Sequence, residues 1–158
     1  MDTTLSSEQI VGAVHTAIEA HGTTRGELIP ILLDVNRTLG YVPTLAMAEI
    51  SRQMRIPISE IFSVATFYTM IATEARGKHV IQFCENAPCH VSGGRETWQA
   101  LLDTLGIAPG ETSPDGKWTL LTTSCTGSCA VGPVMLVDDD LHGNLTPDKV
   151  AEILAQYD

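Results

Sequence analysis

The sequence predicts an α/β chain in two parts: a helical bundle over residues 1–75, then a small mixed domain of strands and helices over residues 76–158. Three observations carry this reading. Up to about Met70 the apolar residues recur every three or four positions, the period of an amphipathic helix. From His79 onward, short apolar runs are separated by turn residues and interrupted by one strong helical stripe. Between the two regimes Thr73 to Lys78, TEARGK, is polar and breaks the pattern.

In the first part, Ser6 and Gln9 form a capping-box pattern, and Ile10, Val11, Val14 and Ile18 then share a face as far as Gly22. Thr24 and Glu27 repeat the device, ahead of a second stripe of Leu28, Ile31, Leu32, Val35 and Leu39 that Gly40 ends. Pro30 lies inside that segment, where it removes a helical hydrogen bond, so a kink or a later start is expected. A third helix is predicted from Thr44 to Met54 and a fourth from Ser59 through ATFYTM, with Pro43 and Pro57 near their starts. In the second part HVIQF from His79, WTLLTT from Trp118 and PVMLV from Pro133 read as strands. Val91, Trp98, Leu101, Leu102 and Leu105 form a helical stripe closed by Gly106. Asp138 to Asp140 reads as a solvated hairpin turn before a short Leu141 to Leu145 segment, and Thr146 with Pro147 opens a last helix carrying Val150, Ile153, Leu154 and Tyr157. The order strand, helix, strand, strand, strand, helix is a stripped-down thioredoxin-like topology.

A hydrophobic content of 44% over 158 residues is enough to build a core without covalent staples. The net charge of -10, with nine scattered Lys and Arg, argues against a nucleic-acid surface. The start MDTTLSSEQI has neither the basic nor the apolar region of a signal peptide, and no run is long enough to span a membrane. A cytoplasmic location is therefore expected, with thiols kept reduced. That weighs against disulfides and toward metal or redox chemistry for the four cysteines.

Those cysteines form two pairs, CENAPC from Cys84 and CTGSC from Cys125. Cys84 ends the first strand, Cys89 lies at the mouth of the next helix, and Cys125 and Cys129 occupy the loop leaving the second strand. If the two strands are parallel neighbours, both loops emerge at one end of the sheet and the four sulfurs meet. The gaps of four and three residues fit neither a thioredoxin-type Cys-x-x-Cys nor a haem Cys-x-x-Cys-His. Spacing alone leaves structural zinc and an iron-sulfur centre both open, although zinc knuckles favour two-residue gaps. A buried centre held by four thiolates is anionic and needs donors aimed at sulfur. Gly93, Gly94, Gly127, Ser128 and Gly132 offer flexible backbone for that. No Lys or Arg lies within either loop, Arg95 being the nearest, so a low reduction potential is expected for such a centre. His90 reads as a loop residue rather than a fifth ligand, and Trp98 and Trp118 as core residues.

With ELIPILLDVNRTLGYVP from Glu27, VATFYTM from Val64, the two cysteine pairs, the AVGP after Cys129 and LTPDKVAEIL from Leu145, the sequence resembles a known family over nearly its whole length. This is the thioredoxin-like 2Fe-2S ferredoxin subunit of NADH dehydrogenases, respiratory complex I included. Its relatives serve NAD-reducing hydrogenases, NAD-dependent formate dehydrogenases and electron-bifurcating flavoenzymes. The resemblance implies that Cys84, Cys89, Cys125 and Cys129 ligate one 2Fe-2S cluster. It further implies that the helical part docks on a flavoprotein subunit carrying FMN and the NAD(H) site, within a complex holding further iron-sulfur subunits. The chain would be a non-catalytic electron-transfer subunit, with no nucleic-acid partner and no membrane insertion, in the cytoplasm or at the cytoplasmic face of a membrane-bound complex. Many complex I members carry a basic residue where this chain has His90, Val91 and Ser92, an alanine at Gly132 and a tyrosine near His142. Two other readings predict different behaviour: a zinc-holding scaffold would be colourless, and a standalone ferredoxin would work without a partner. The VATFYTM segment either docks on a partner or closes the bundle core.

Overall fold

Apolar stripes at helical spacing produce the first four helices. The computed structural model describes residues 5–158, so the first four residues of the sequence-predicted helical part lie outside it. The chain divides into two compact units, one through Ala75 and one from Arg76 to Asp158.

The first unit holds α1 (Ser7–His21), α2 (Leu28–Leu39), α3 (Thr44–Met54) and α4 (Ile58–Phe67). Ser6 and Gln9 make the full reciprocal capping box on α1. Thr24 does not repeat it: no side-chain cap bond forms, and Arg25–Glu27 is a separate 3₁₀ turn. Helix α2 therefore starts late, which puts Pro30 in its first turn, where a missing N–H costs nothing. Gly40 ends α2 in the left-handed conformation, φ 82°. Val14, Ile31, Leu32, Val35, Ile50 and Ile61 are wholly buried and form the centre of the bundle. Each such side chain contributes about 1.5–3 kcal/mol relative to exposure. Helix α4 stops at Phe67, earlier than the VATFYTM pattern predicts, because Tyr68 turns extended and its side chain packs back on the bundle.

The second unit is a four-stranded sheet in the order β2-β1-β3-β4, comprising β1 (His79–Cys84), β2 (Trp118–Thr123), β3 (Met135–Val137) and β4 (Asp140–His142). Strands β1 and β2 are parallel, with Cys84 opposite Thr123, and β3 runs antiparallel to β1 on its other side. The crossover contains α5 (Ala87–Cys89), an irregular turn over His90–Gly94 and α6 (Arg95–Leu105); α7 (Pro147–Leu154) follows β4. Helices α6 and α7 contribute Leu101 and Val150 to one core with Ile81, Leu120 and Met135. The acidic run is the expected turn, with Asp138 left-handed at φ 56° and its carboxylate accepting the Val80 N–H at 2.8 Å. Tyr157 lies beyond the end of α7 rather than within it. Among the described residues no helix is long and apolar enough to cross a membrane.

Candidate metal centre

Strand β1 runs out at Cys84, whose N–H is held by the Val134 carbonyl at 3.1 Å. Parallel pairing puts the end of β2 beside it. The chain then passes from the β2 side of β1 to the β3 side, so the segment carrying Cys125 and Cys129 straps across the end of β1. Both cysteine loops thus occupy one end of the sheet, as parallel strands require.

The first loop is built for close approach. Asn86 opens the single turn of α5, and Cys89 is its last residue, so Cys89 ends a separate short turn and the long helix expected to follow it, α6, starts only at Arg95. Gly93 takes φ 100°, which breaks the helical path. Ser92 Oγ donates to the Pro88 carbonyl at 2.8 Å and Thr97 Oγ1 to the Gly93 carbonyl at 2.9 Å, fixing the irregular turn. A Cβ at Gly94 would sit 2.6 Å from the Cys89 carbonyl oxygen, so only glycine lets α6 start against that turn. The break also removes Val91 from the helical stripe; it is 84% exposed.

In the second loop Gly127, left-handed at φ 83°, donates its N–H to Cys125 Sγ at 3.3 Å. Cys129 opens a 3₁₀ turn through Val131, and its Sγ lies 3.3 Å from that of Cys125. A Cβ at Gly132 would stand 3.3 Å from Cys89 Sγ, which shows how closely the strap passes the first loop. Of the glycines and serine expected to aim N–H groups at sulfur, Gly127 is the one that does so among the described hydrogen bonds; Gly132 instead donates to the Cys129 carbonyl.

The four thiols are free and stand as two pairs. Cys84 and Cys89 are neighbours, each only 1% exposed, whereas Cys125 and Cys129 are at the surface. Burial, then the bond to Cys84, pushes the Cys89 thiol up, opposed by the Val134 N–H. The Gly127 N–H, then the bond to Cys129, holds the Cys125 thiol below its usual range, whereas the bond to Cys125, then burial, pushes the Cys129 thiol up. Cys89 feels the charge of Cys129, and Cys129 that of Cys84, so the pairs lie within electrostatic reach. Among the described residues no three His, Cys, Asp or Glu side chains converge tightly enough to hold a single metal ion.

Two contributors escaped the sequence reading. Val134 brings a backbone N–H near enough to Cys89 to lower its thiol, a proximity only the tertiary fold creates. Thr126 holds a buried hydroxyl that no described group pairs, a spare O–H donor between Cys125 and Gly127. His90 and Glu85 are exposed loop residues as expected, and Trp118 is buried. Trp98 packs against the core as expected but is only half-buried: its ring lies tilted on Phe83 at 5.1 Å and lines a groove of about 1020 Å³ that reaches Cys84.

Comparison with known proteins follows the same line. The model of the thioredoxin-like [2Fe-2S] ferredoxin family matches residues 14–158. Over 133 residues the chain is 41% identical to an NADH-quinone oxidoreductase subunit of Salmonella typhimurium, a match covering 84% of this chain and 80% of that protein. The protein of the same name from Escherichia coli K12 is 38% identical over 145 residues, covering 92% of this chain and 87% of the relative. The HndA component of the NADP-reducing hydrogenase of Solidesulfovibrio fructosivorans is 31% identical over 140 residues, 89% of this chain and 82% of its own length. Among solved structures, an NAD+-reducing [NiFe]-hydrogenase in the H2-reduced state shares the fold with a TM-score of 0.65 at 20% identity; the match covers 96% of this chain and 22% of that one. On sequence and topology together, the chain belongs to the thioredoxin-like [2Fe-2S] ferredoxin family.

Proposed function

We propose that Cys84, Cys89, Cys125 and Cys129 hold one 2Fe-2S cluster and that the chain is the electron-carrying subunit of an NADH-linked oxidoreductase complex. The observation that carries this is the grouping of the thiols into two pairs at one sheet end. That grouping suits a two-iron core, in which each metal takes two thiolates, better than a single ion that draws four sulfurs to one point. The surroundings fit an anionic ligand set: the Gly127 N–H already donates to sulfur, the Val134 N–H lowers the Cys89 thiol, and the Thr126 hydroxyl is unspent. When bound, the cluster supplies a one-electron carrier. The chain holds it between a buried pair and an exposed pair, so electrons have a short route to the surface at Cys125 and Cys129.

Relatives named as subunits of NADH-quinone oxidoreductase and of a hydrogenase support membership of a multisubunit complex. In this reading the partner is the flavoprotein carrying FMN and the NAD(H) site, further iron-sulfur subunits complete the complex, and this chain performs no hydride chemistry. It works in the cytoplasm. The helical unit, residues 1–75, docks on the flavoprotein. Phe67 is 76% exposed, and Phe62 and Met70 are also open, so the end of α4 presents apolar surface that the bundle does not use. Phe67→Ala should reduce co-purification of the flavoprotein while leaving thermal stability unchanged; an intact complex would argue against this docking role.

The primary test is electron paramagnetic resonance of the anaerobically purified, dithionite-reduced protein, with iron and acid-labile sulfide assayed on the same sample. The expected result is a rhombic S = 1/2 signal absent before reduction, with equal iron and sulfide. Stoichiometric zinc without a signal would overturn the proposal.

A further inference from the structure

Strand β2 is an edge strand, and its outer edge is only half covered. Trp118 and Leu120 use their outward groups on the preceding loop: Ser113 N–H bonds the Trp118 carbonyl at 2.7 Å, Gly110 N–H bonds the Leu120 carbonyl at 2.7 Å, and Leu120 N–H bonds the Glu111 carbonyl at 3.0 Å. By the two-residue period of a strand, Thr122 presents its N–H and C=O to that same edge. Thr123 faces the other way, its carbonyl taken by Glu85 N–H at 3.3 Å. No described residue takes the outward backbone groups of Thr122. An unpaired donor and acceptor at a sheet edge are a template for another extended chain.

Thr122 also lines the groove of about 1020 Å³ that reaches Cys84. Trp98 gives that groove an aromatic wall, backed by Phe83. Glu85 and Glu96 line it as well; both are exposed, and neither side chain has an ion pair or hydrogen bond among the described residues. Arg95 is the only Lys or Arg in the lining. An open backbone pair, an indole wall and two unspent carboxylates match a polypeptide in extended conformation that carries a basic side chain. Main-chain bonds would add it to β2, the indole would take its cation in a cation–π contact and a carboxylate would pair with it. A groove of this size takes several residues of such a segment.

We propose that the open end of β2, with the Trp98 groove, is a docking site for an extended basic segment of a partner protein, seated next to the Cys84 side of the candidate centre. This rests on the reading of the chain as a subunit of a complex. The test compares amide hydrogen exchange over residues 121–124 in the purified chain and in the complex isolated from its own cells through a tag on this chain. Exchange at Thr122 should slow at least tenfold in the complex. In a Glu85→Lys, Glu96→Lys double variant that protection should disappear while the reduced-state resonance signal persists. A partner retained with Thr122 exchanging as fast as in the free chain overturns this inference and leaves the subunit reading standing. If no protein is retained at all, both fall.

Discussion

At the scale of single residues, the candidate centre depends on positions that are not cysteine. The buried Thr126 hydroxyl, next to Cys125 in the chain, has no partner among the described residues, and a hydrogen bond from it to sulfur would stabilise added negative charge. Thr126→Val keeps the shape and removes the O–H, so potentiometry followed by resonance should show a lower reduction potential with cluster content unchanged. An unaltered potential would assign that hydroxyl no part in tuning. Gly94 is constrained differently: an added methyl meets the Cys89 carbonyl at 2.6 Å, backbone that has no room to yield. Gly94→Ala should cost about 1–3 kcal/mol of stability in the second unit, typical of overpacking, and lower iron per chain. Thermal unfolding with iron analysis checks both. Neither role is visible in sequence, because glycine is equally compatible with a turn and with close approach, and a threonine between cysteines does not reveal whether it is buried.

At the scale of elements, α3 carries a charge clasp whose pH dependence has a definite sign. Hydrogen bonds from Arg52, then Gln53, hold Glu49 at about 2, well under its ordinary 4.5, with His15 of α1 adding a weaker contact at 3.3 Å. A carboxyl lowered in the folded state stabilises fully above the ordinary value and loses that contribution as pH falls from about 4.5 toward 2. Because Arg52 is exposed, solvent holds the effect to about 1 kcal/mol. Urea unfolding at pH 7 should find Glu49→Gln less stable than the parent, with the gap closing near pH 2; a gap that persists in acid would point to packing instead. The elements themselves were largely legible. Thr44 to Met54 and Trp118 to Thr123 were bounded in the sequence as they stand in the structure, since proline or a turn marks their starts and their patterns are unbroken. Legibility failed where tertiary contacts override pattern. Tyr68 turns back to the bundle and cuts α4 short, and the glycine pair after Ser92 replaces a helix start with an irregular turn, leaving Val91 in solvent.

At the scale of the whole molecule, two units with separate cores are joined through a polar segment without regular structure, in which Glu74 and Ala75 are exposed. Brief treatment with a glutamyl endopeptidase should cut first at Glu74, ahead of the glutamates on helices, and mass spectrometry should find two resistant fragments; early cleavage elsewhere would refute the linker reading. The meeting of the cysteine loops was legible because it follows from one parallel strand pair, whereas the division into a buried and an exposed thiol pair depends on how the strap crosses β1. That crossing has a consequence in time. Cys89 and Cys125 are 36 positions apart in the chain and come to one end of the sheet only after β1 and β2 have paired and the chain has crossed to β3. The nascent chain therefore offers two isolated dithiols, which come to the same end only with the finished sheet. A metal centre bridging the two pairs would tie this last crossing shut, so loss of the metal and opening of the strap are expected to be one kinetic event.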